Sequence, residues 1–262
     1  MSTSRTTDTS TGPPATVLRT RRLTKTFGGF RAVGPVDLDV TAGTVHALVG
    51  PNGAGKTTLF NLLTGFLRPS GGSIEVAGRD VTGLPPERIA RLGVARSFQT
   101  TSLFERASCL EHLELALLSG GSLGRSPWRS RRTLDRFGPR GLELLDRVGL
   151  AGRAHEQAGS LPYGRKRALE LALALALDPQ LLLLDEPTAG MGVEDVERTV
   201  ELIGRVRAGR TVVMVEHNMS VVGTLADRVT VLRAGEVLAD GPYEAVRADP
   251  AVIEAYLGAD HA

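Results

Sequence analysis

Residues Gly50-Pro51-Asn52-Gly53-Ala54-Gly55-Lys56-Thr57 fill every fixed position of a G-x-x-x-x-G-K-S/T phosphate loop, and Thr58 adds a second hydroxyl. The preceding run, Thr44 to Val49, is apolar and short enough for a buried strand. The following one, Lys56 to Phe66, places Leu59, Leu62 and Leu63 at helical spacing. Strand, glycine loop and helix in that order commit the chain to an α/β core. Glycines let backbone N–H groups converge on phosphate oxygens with no Cβ in the way, and the opening helix turn adds unpaired donors and its dipole. Lys56 then reaches the β- and γ-phosphates, and the Thr57 hydroxyl faces Mg²⁺. A plain glycine-rich turn is the alternative; four filled positions and the right flanks speak against it.

The chain has 262 residues, enough for one α/β domain or one domain carrying an inserted lobe. A net charge of +2 describes a mixed surface rather than a basic wrapper, so no nucleic-acid partner is expected. Cys109 stands alone, which excludes an intramolecular disulfide and fits a reducing compartment. No stretch approaches the roughly 18 uncharged apolar residues of a membrane span; the nearest, around Leu171 to Leu184, is broken by Asp178-Pro179. Any membrane role therefore runs through a partner. Met1 to Thr16 is mostly Ser and Thr with Pro13-Pro14 and no apolar segment, and reads as a disordered tail.

Taken in order, Val17 to Phe27 reads as a strand, and Val36, Leu38 and Val40 alternate with Asp37 and Asp39 as a half-exposed strand does. Phe27, at a strand end upstream of the loop, could stack on a base, although an aromatic there is more often core. Ser73 to Gly78 alternates as an edge strand. Pro85-Pro86-Glu87 opens a short helix, and Gly93 to Phe98 is a strand ending at Gln99. Ser108-Cys109-Leu110-Glu111 is a capping box leading into a helix over Leu110 to Leu118. Arg125, Arg129, Arg131, Arg132 and Arg136 gather around Trp128, a solvated face before it is a binding patch. With a further helix over Leu142 to Val148, residues 101–159 form a helical lobe between two halves of a sheet domain.

Beyond the lobe, Leu169, Leu171, Leu173, Leu175 and Leu177 recur at period two. Glu170, Ala172, Ala174 and Ala176 between them are strong helix formers, so the segment is expected to be a buried helix stopped by Pro179. Leu181 to Leu184 is a buried strand delivering Asp185-Glu186 at its carboxyl end, where ligands of parallel α/β sheets bind. Glu194 to Arg207 is an amphipathic helix. Thr211 to Val215 is another buried strand, ending at Glu216-His217, two residues that also read as a plain polar strand end. Strand signals return at Val229 to Leu232, and a short helix holds Val252, Ile253, Tyr256 and Leu257.

A phosphate loop alone permits kinases, GTPases and motors. The loop followed by Gln99, Leu161-Pro162-Tyr163-Gly164-Arg165, Asp185-Glu186 and His217 resembles the nucleotide-binding subunits of ABC transporters over Val17 to Gly258. Phe27-Gly28-Gly29, the Leu161 to Arg165 variant, Val215-Glu216-His217-Asn218-Met219 and Ala255-Tyr256-Leu257-Gly258 look like the ATP-binding subunits of bacterial branched-chain amino-acid importers. The resemblance implies a P-loop NTPase fold: a RecA-like core, an antiparallel β subdomain and the inserted helical subdomain, with 259–262 as a short tail. It also implies a place on the cytoplasmic face of the cell membrane, two membrane permease subunits, a second ATP-binding subunit, identical or different, and indirectly a periplasmic-type solute-binding protein.

Carried onto this chain, the resemblance makes Phe27 the adenine-stacking ring and Gly50 to Thr58 the triphosphate cradle. It gives Thr57, Gln99 and Asp185 to Mg²⁺, the aspartate through water. Glu186 becomes the base that polarises the attacking water, with His217 orienting the γ-phosphate and Glu186. Leu161 to Arg165 departs from the common Leu-Ser-Gly-Gly-Gln signature, because Pro162 replaces the serine and Tyr163 a glycine. Gly192 stands where the general pattern has aspartate. The competing assignments are an ATPase for another cargo, including lipid export, and a soluble nucleotide switch or DNA-maintenance ATPase. The latter kinds carry a long coiled coil, and the lobe here has no sustained heptads.

Overall fold

The computed structural model describes residues 15–97, 103–120 and 135–257. Gln99, the Arg125 to Arg132 cluster with Trp128, most of the N-terminal tail and residues 258–262 lie outside the described residues.

Two sheets carry the architecture. Strands β1 (Thr16–Phe27), β2 (Phe30–Thr41), β4 (Gly71–Val76) and β5 (Arg79–Asp80) form an antiparallel sheet in the order β2-β1-β4-β5. Strands β3 (Val45–Val49), β6 (Val94–Ser97), β7 (Leu181–Asp185), β8 (Thr211–Val215), β9 (Arg228–Arg233) and β10 (Glu236–Gly241) form the other in the order β10-β9-β3-β8-β7-β6. Its strands are parallel except β10, which pairs antiparallel with β9.

Between and beside the sheets lie α1 (Lys56–Leu63), α2 (Pro86–Ala90), α3 (Cys109–Gly120), α4 (Gly138–Arg147), α5 (Tyr163–Ala176) and α6 (Val193–Val206). The chain closes with α7 (Met219–Leu225), α8 (Tyr243–Arg247) and α9 (Pro250–Leu257). No helix among the described residues is long and apolar enough to cross a membrane.

Because strand side chains alternate between faces, one apolar run feeds two cores. Leu181, Leu183, Val213 and Val215 pack with α1 and the antiparallel sheet, whereas Leu182, Leu184, Val212 and Met214 pack with the helices on the other face. Burial on both sides explains why β3, β7 and β8 are almost wholly apolar. It also keeps the parallel strands in register, so β3, β6, β7 and β8 all end at one edge.

The alternating leucines of α5 do form a helix, with Leu169, Leu171 and Leu175 buried. The Ser108 capping box is present: Ser108 N donates to Glu111 Oε2 at 2.8 Å and Glu111 N donates to Ser108 Oγ at 3.2 Å. Three expectations need correction. Strand β4 is not the sheet edge, because the two-residue β5 pairs outside it. Helix α1 ends at Leu63, short of Phe66, because Thr64 Oγ1 donates to Phe60 O at 2.7 Å and Gly65 takes φ +75°. Helix α4 starts at Gly138, four residues before the leucines that mark it in the sequence.

His46, fully buried in β3, supplies a pH dependence. The Thr230 hydroxyl donates to Asp240 Oδ1 at 2.8 Å, so it accepts from His46 Nε2 at 2.7 Å. That fixes the Nε2–H tautomer and leaves Nδ1 buried without a partner among the described residues. A proton on Nδ1 would have no acceptor, and burial pushes the His46 pKa down to about 4. The unfolded chain, with the ordinary value of 6.5, binds this proton first. His46 therefore contributes fully above pH 6.5 and loses that contribution as pH falls toward 4, up to about 3 kcal/mol. Urea unfolding at pH 7 and pH 4.5 checks this: a His46→Gln chain is expected to lose less stability between the two than the native chain.

Candidate nucleotide site

Local geometry dictates the phosphate loop. Gly50 takes φ +147°, and a Cβ there would lie 2.2 Å from Leu232 O; Gly55, at φ +96°, ends the loop as the N-cap of α1. Only glycine meets both conditions. The N–H groups of Gly53, Gly55, Lys56 and Thr57 find no acceptor among the described residues and remain open to an anion. Lys56 lies 8% exposed and folds over its own loop, donating to Gly50 O at 2.6 Å and Pro51 O at 2.9 Å. Burial lowers its pKa, and the Glu186 carboxylate partly offsets this. Thr57 is exposed and Thr58 half-buried, while Asn52 stands in solvent and Ala54 is buried.

Beside the loop, β7 delivers its acids. Asp185 is 1% exposed and pairs through Oδ2 with Arg96 Nη2 of β6 at 2.5 Å; its Oδ1 has no partner among the described residues. Glu186 is half-buried at φ +46°, a conformation that costs on the order of 1–3 kcal/mol in a non-glycine residue. Its N–H donates to Val215 O at 3.0 Å, and its carboxylate makes no hydrogen bond among the described residues. The strained turn leaves that carboxylate available to a ligand.

At the end of β8, Glu216 is fully buried. Its Oε1 accepts from Thr188 N at 3.1 Å and Thr188 Oγ1 at 2.5 Å. Its Oε2 accepts from His217 N at 3.0 Å and Asn218 N at 3.2 Å. The supposed polar strand end is thus the anchor joining the segment after Glu186 to the segment holding His217, whose side chain is exposed.

The remaining predicted residues make no hydrogen bond to the loop among the described residues. Phe27 is 44% exposed at the hairpin end of β1, with Lys25 Nζ 4.9 Å from its ring centroid. Leu161 is buried, Pro162 is the N-cap of α5 and Arg165 lies in its first turn. Gly164 lets α5 approach α6, since a Cβ would sit 2.9 Å from Asp195 Cγ. Tyr163 donates through its hydroxyl to Ala189 O at 3.3 Å, so this segment touches the residues after Glu186. Among the described residues, no hydrogen bond joins Leu161 to Arg165 with Gly50 to Thr58. Glu216, Thr188 and Arg96 are the site residues that the sequence did not disclose.

A glycine loop with open donors, a buried lysine and an adjacent acid pair at the carboxyl edge of a parallel sheet, flanked by an antiparallel sheet and a helical lobe, define an ATP-binding cassette. Residues 33–189 match the family model described as ABC transporter, and residues 236–262 match that of the branched-chain amino acid ATP-binding cassette transporter. The chain belongs to the ABC transporter family, as an ATP-hydrolysing transporter ATPase.

Among its relatives, the high-affinity branched-chain amino acid transport ATP-binding protein LivG of Salmonella typhimurium is 41% identical over 242 residues, covering 88% of this chain and 94% of LivG. BraF of Pseudomonas aeruginosa, named for the same transport, is 40% identical over 254 residues, covering 92% and 98%. The ADP conformation of an ATP-binding cassette of an ABC transporter superposes with a TM-score of 0.83 at 29% identity, covering 93% of this chain and 99% of that one.

Proposed function

We propose that this ATPase powers import of branched-chain amino acids or related polar solutes, working at the cytoplasmic face of the membrane with two permeases and a second ATP-binding subunit. The observation that carries the catalytic part is the convergence of the open loop donors, Lys56 and Glu186 at one sheet edge. The names of the 40–41% identical relatives and the match over 236–262 support the cargo class.

ATP lies with its phosphates on Gly50 to Thr58 and its base against Phe27. The unpartnered Oδ1 of buried Asp185, acting through water, and the exposed Thr57 hydroxyl fit a divalent cation, to which Gln99 is also assigned. Mg²⁺ held there supplies neutralisation of phosphate charge. Lys56 shifts its Nζ from the Gly50 and Pro51 carbonyls to the phosphates. Glu186 accepts a hydrogen bond from the attacking water, and His217, held through Glu216, orients the γ-phosphate. The first turn of α5 after Pro162, with Gly164 near its start, serves the ATP of the opposite subunit.

A groove of about 420 Å³ bounded by α2, the edge strand β6, α5 and the residues after α1 suits a permease segment. Phe66, Ile89, Ala90, Leu173 and Leu177 give it an apolar lining, with Phe66 and Leu177 about half exposed. Pull-down of tagged Glu186→Gln protein from gently solubilised membranes with ATP and Mg²⁺ tests the assembly. Polytopic permeases and a sister ATPase are expected. Recovery of soluble proteins alone, with ATP binding intact, overturns the transporter assignment. ATP-dependent leucine uptake by the reconstituted complex tests the cargo.

A further inference from the structure

Arg96 takes no part in the chemistry above, yet it occupies the junction between the groove and the site. Its Nη2 holds Asp185 Oδ2 at 2.5 Å, and its Nη1 donates to Asn61 Oδ1 of α1 at 2.6 Å. The side chains of the ion pair are 9% and 1% exposed. One planar fork thus ties β6 to both the acid-bearing end of β7 and the helix that follows the phosphate loop. The guanidinium carbon also lies 5.7 Å from the Phe60 ring centroid and 5.9 Å from that of Phe66. Phe60 is buried in the core, whereas Phe66 stands 53% exposed on the groove, which Arg96 itself lines.

We propose that Arg96 is a positioning residue that couples occupation of the groove to the placement of the Asp185 carboxylate. The proposal rests on the assignment of the groove to a permease segment. An occupant that packs on Phe66 presses on one face of the guanidinium, whose edge carries Asp185 Oδ2 and Asn61. Within a poorly solvated pair, a small displacement changes the interaction strongly. Asp185 then turns Oδ1, its oxygen without a described partner, toward or away from the cation position. Lysine keeps the charge but cannot hold two acceptors in one plane, so Arg96→Lys uncouples the two events.

The test uses Mn²⁺ as a paramagnetic probe on the full Glu186→Gln chain saturated with ATP, alone and assembled with its permeases. Assembly is expected to change the Mn²⁺ dissociation constant by about fivefold or more. In an Arg96→Lys protein that still binds ATP and co-purifies with permeases, the change is expected to fall below about twofold. Asn61→Ala, which leaves the ion pair in place and loosens the fork, is expected to give an intermediate change and serves if Arg96→Lys does not fold.

A merely structural Arg96 would lower the melting temperature of the variants and leave the assembly-dependent change intact; that result overturns the proposal, as does no change in the parent protein. Failure of the parent to co-purify with any permease is a separate result. It removes the transporter assignment, and the coupling goes with it.

Discussion

Glu186→Gln is expected to lower ATP turnover by about 10²-fold or more while leaving ATP binding within a few-fold of the native chain. The amide keeps the size and shape of the carboxylate, and glutamine meets the same backbone condition at φ +46°. What disappears is a full negative charge and a second acceptor oxygen facing the attacking water, a contribution realised mainly in the transition state. The charge is also close enough to Lys56 to oppose the lowering of its pKa by burial. Its removal therefore leaves Lys56 with burial alone acting on it, and nucleotide affinity is expected to show a modestly stronger pH dependence in the alkaline range. Phosphate release and equilibrium binding of a fluorescent ATP analogue separate the two effects. Turnover within tenfold of native, with binding intact, would assign the base to another group.

The parts of this site that can be read from the sequence are those fixed by neighbours in the chain. Gly50 to Thr58 announces itself because the loop needs glycine at φ values other residues avoid, and because the lysine and threonine follow at set offsets. Asp185-Glu186 is legible because two acids directly after an all-apolar strand mark its carboxyl end, where parallel α/β sheets bind ligands. The helical α5 is legible from its alanines despite the period-two leucines.

What escapes is fixed at long range. Glu216 and Thr188 are 28 residues apart, and Arg96 and Asp185 are 89 apart. Neither pair leaves a local pattern. Strand β10, Glu236 to Gly241, escapes because its apolar residues are interrupted at a bulge between Val237 and Ala239 and it exists through pairing with β9. The same holds for β5, two residues long and both exposed. Helix ends escape where a side chain or a remote carbonyl decides them. A Cβ on Gly65 would lie 2.4 Å from Leu84 O, a contact that no reading of α1 alone contains.

Glu216 is where this long-range logic has its largest expected effect on stability. A Glu216→Ala chain leaves the backbone N–H groups of Thr188, His217 and Asn218 and the Thr188 hydroxyl without their acceptor. Hydrogen bonds to a charged acceptor contribute about 1.5–3 kcal/mol each, and the groups are not independent, so a loss of about 3–5 kcal/mol is expected. Thr188→Val removes only the hydroxyl bond and is expected to cost about 1–2 kcal/mol. Glu216→Gln keeps one acceptor oxygen but turns an amide N–H₂ toward donors, and falls between the two.

Urea unfolding of the three variants orders them if the carboxylate anchors both segments. Turnover carries the functional half: with the chain kept folded at low temperature, Glu216→Ala is expected to lose at least about tenfold in rate, because a small displacement of a positioned group is costly. A Glu216→Ala protein within about 1 kcal/mol of native would mean that the segments after Glu186 and before Asn218 hold their places by packing alone. A stable order as expected, with native turnover, would instead confine Glu216 to the fold and leave the placement of His217 to the ligand.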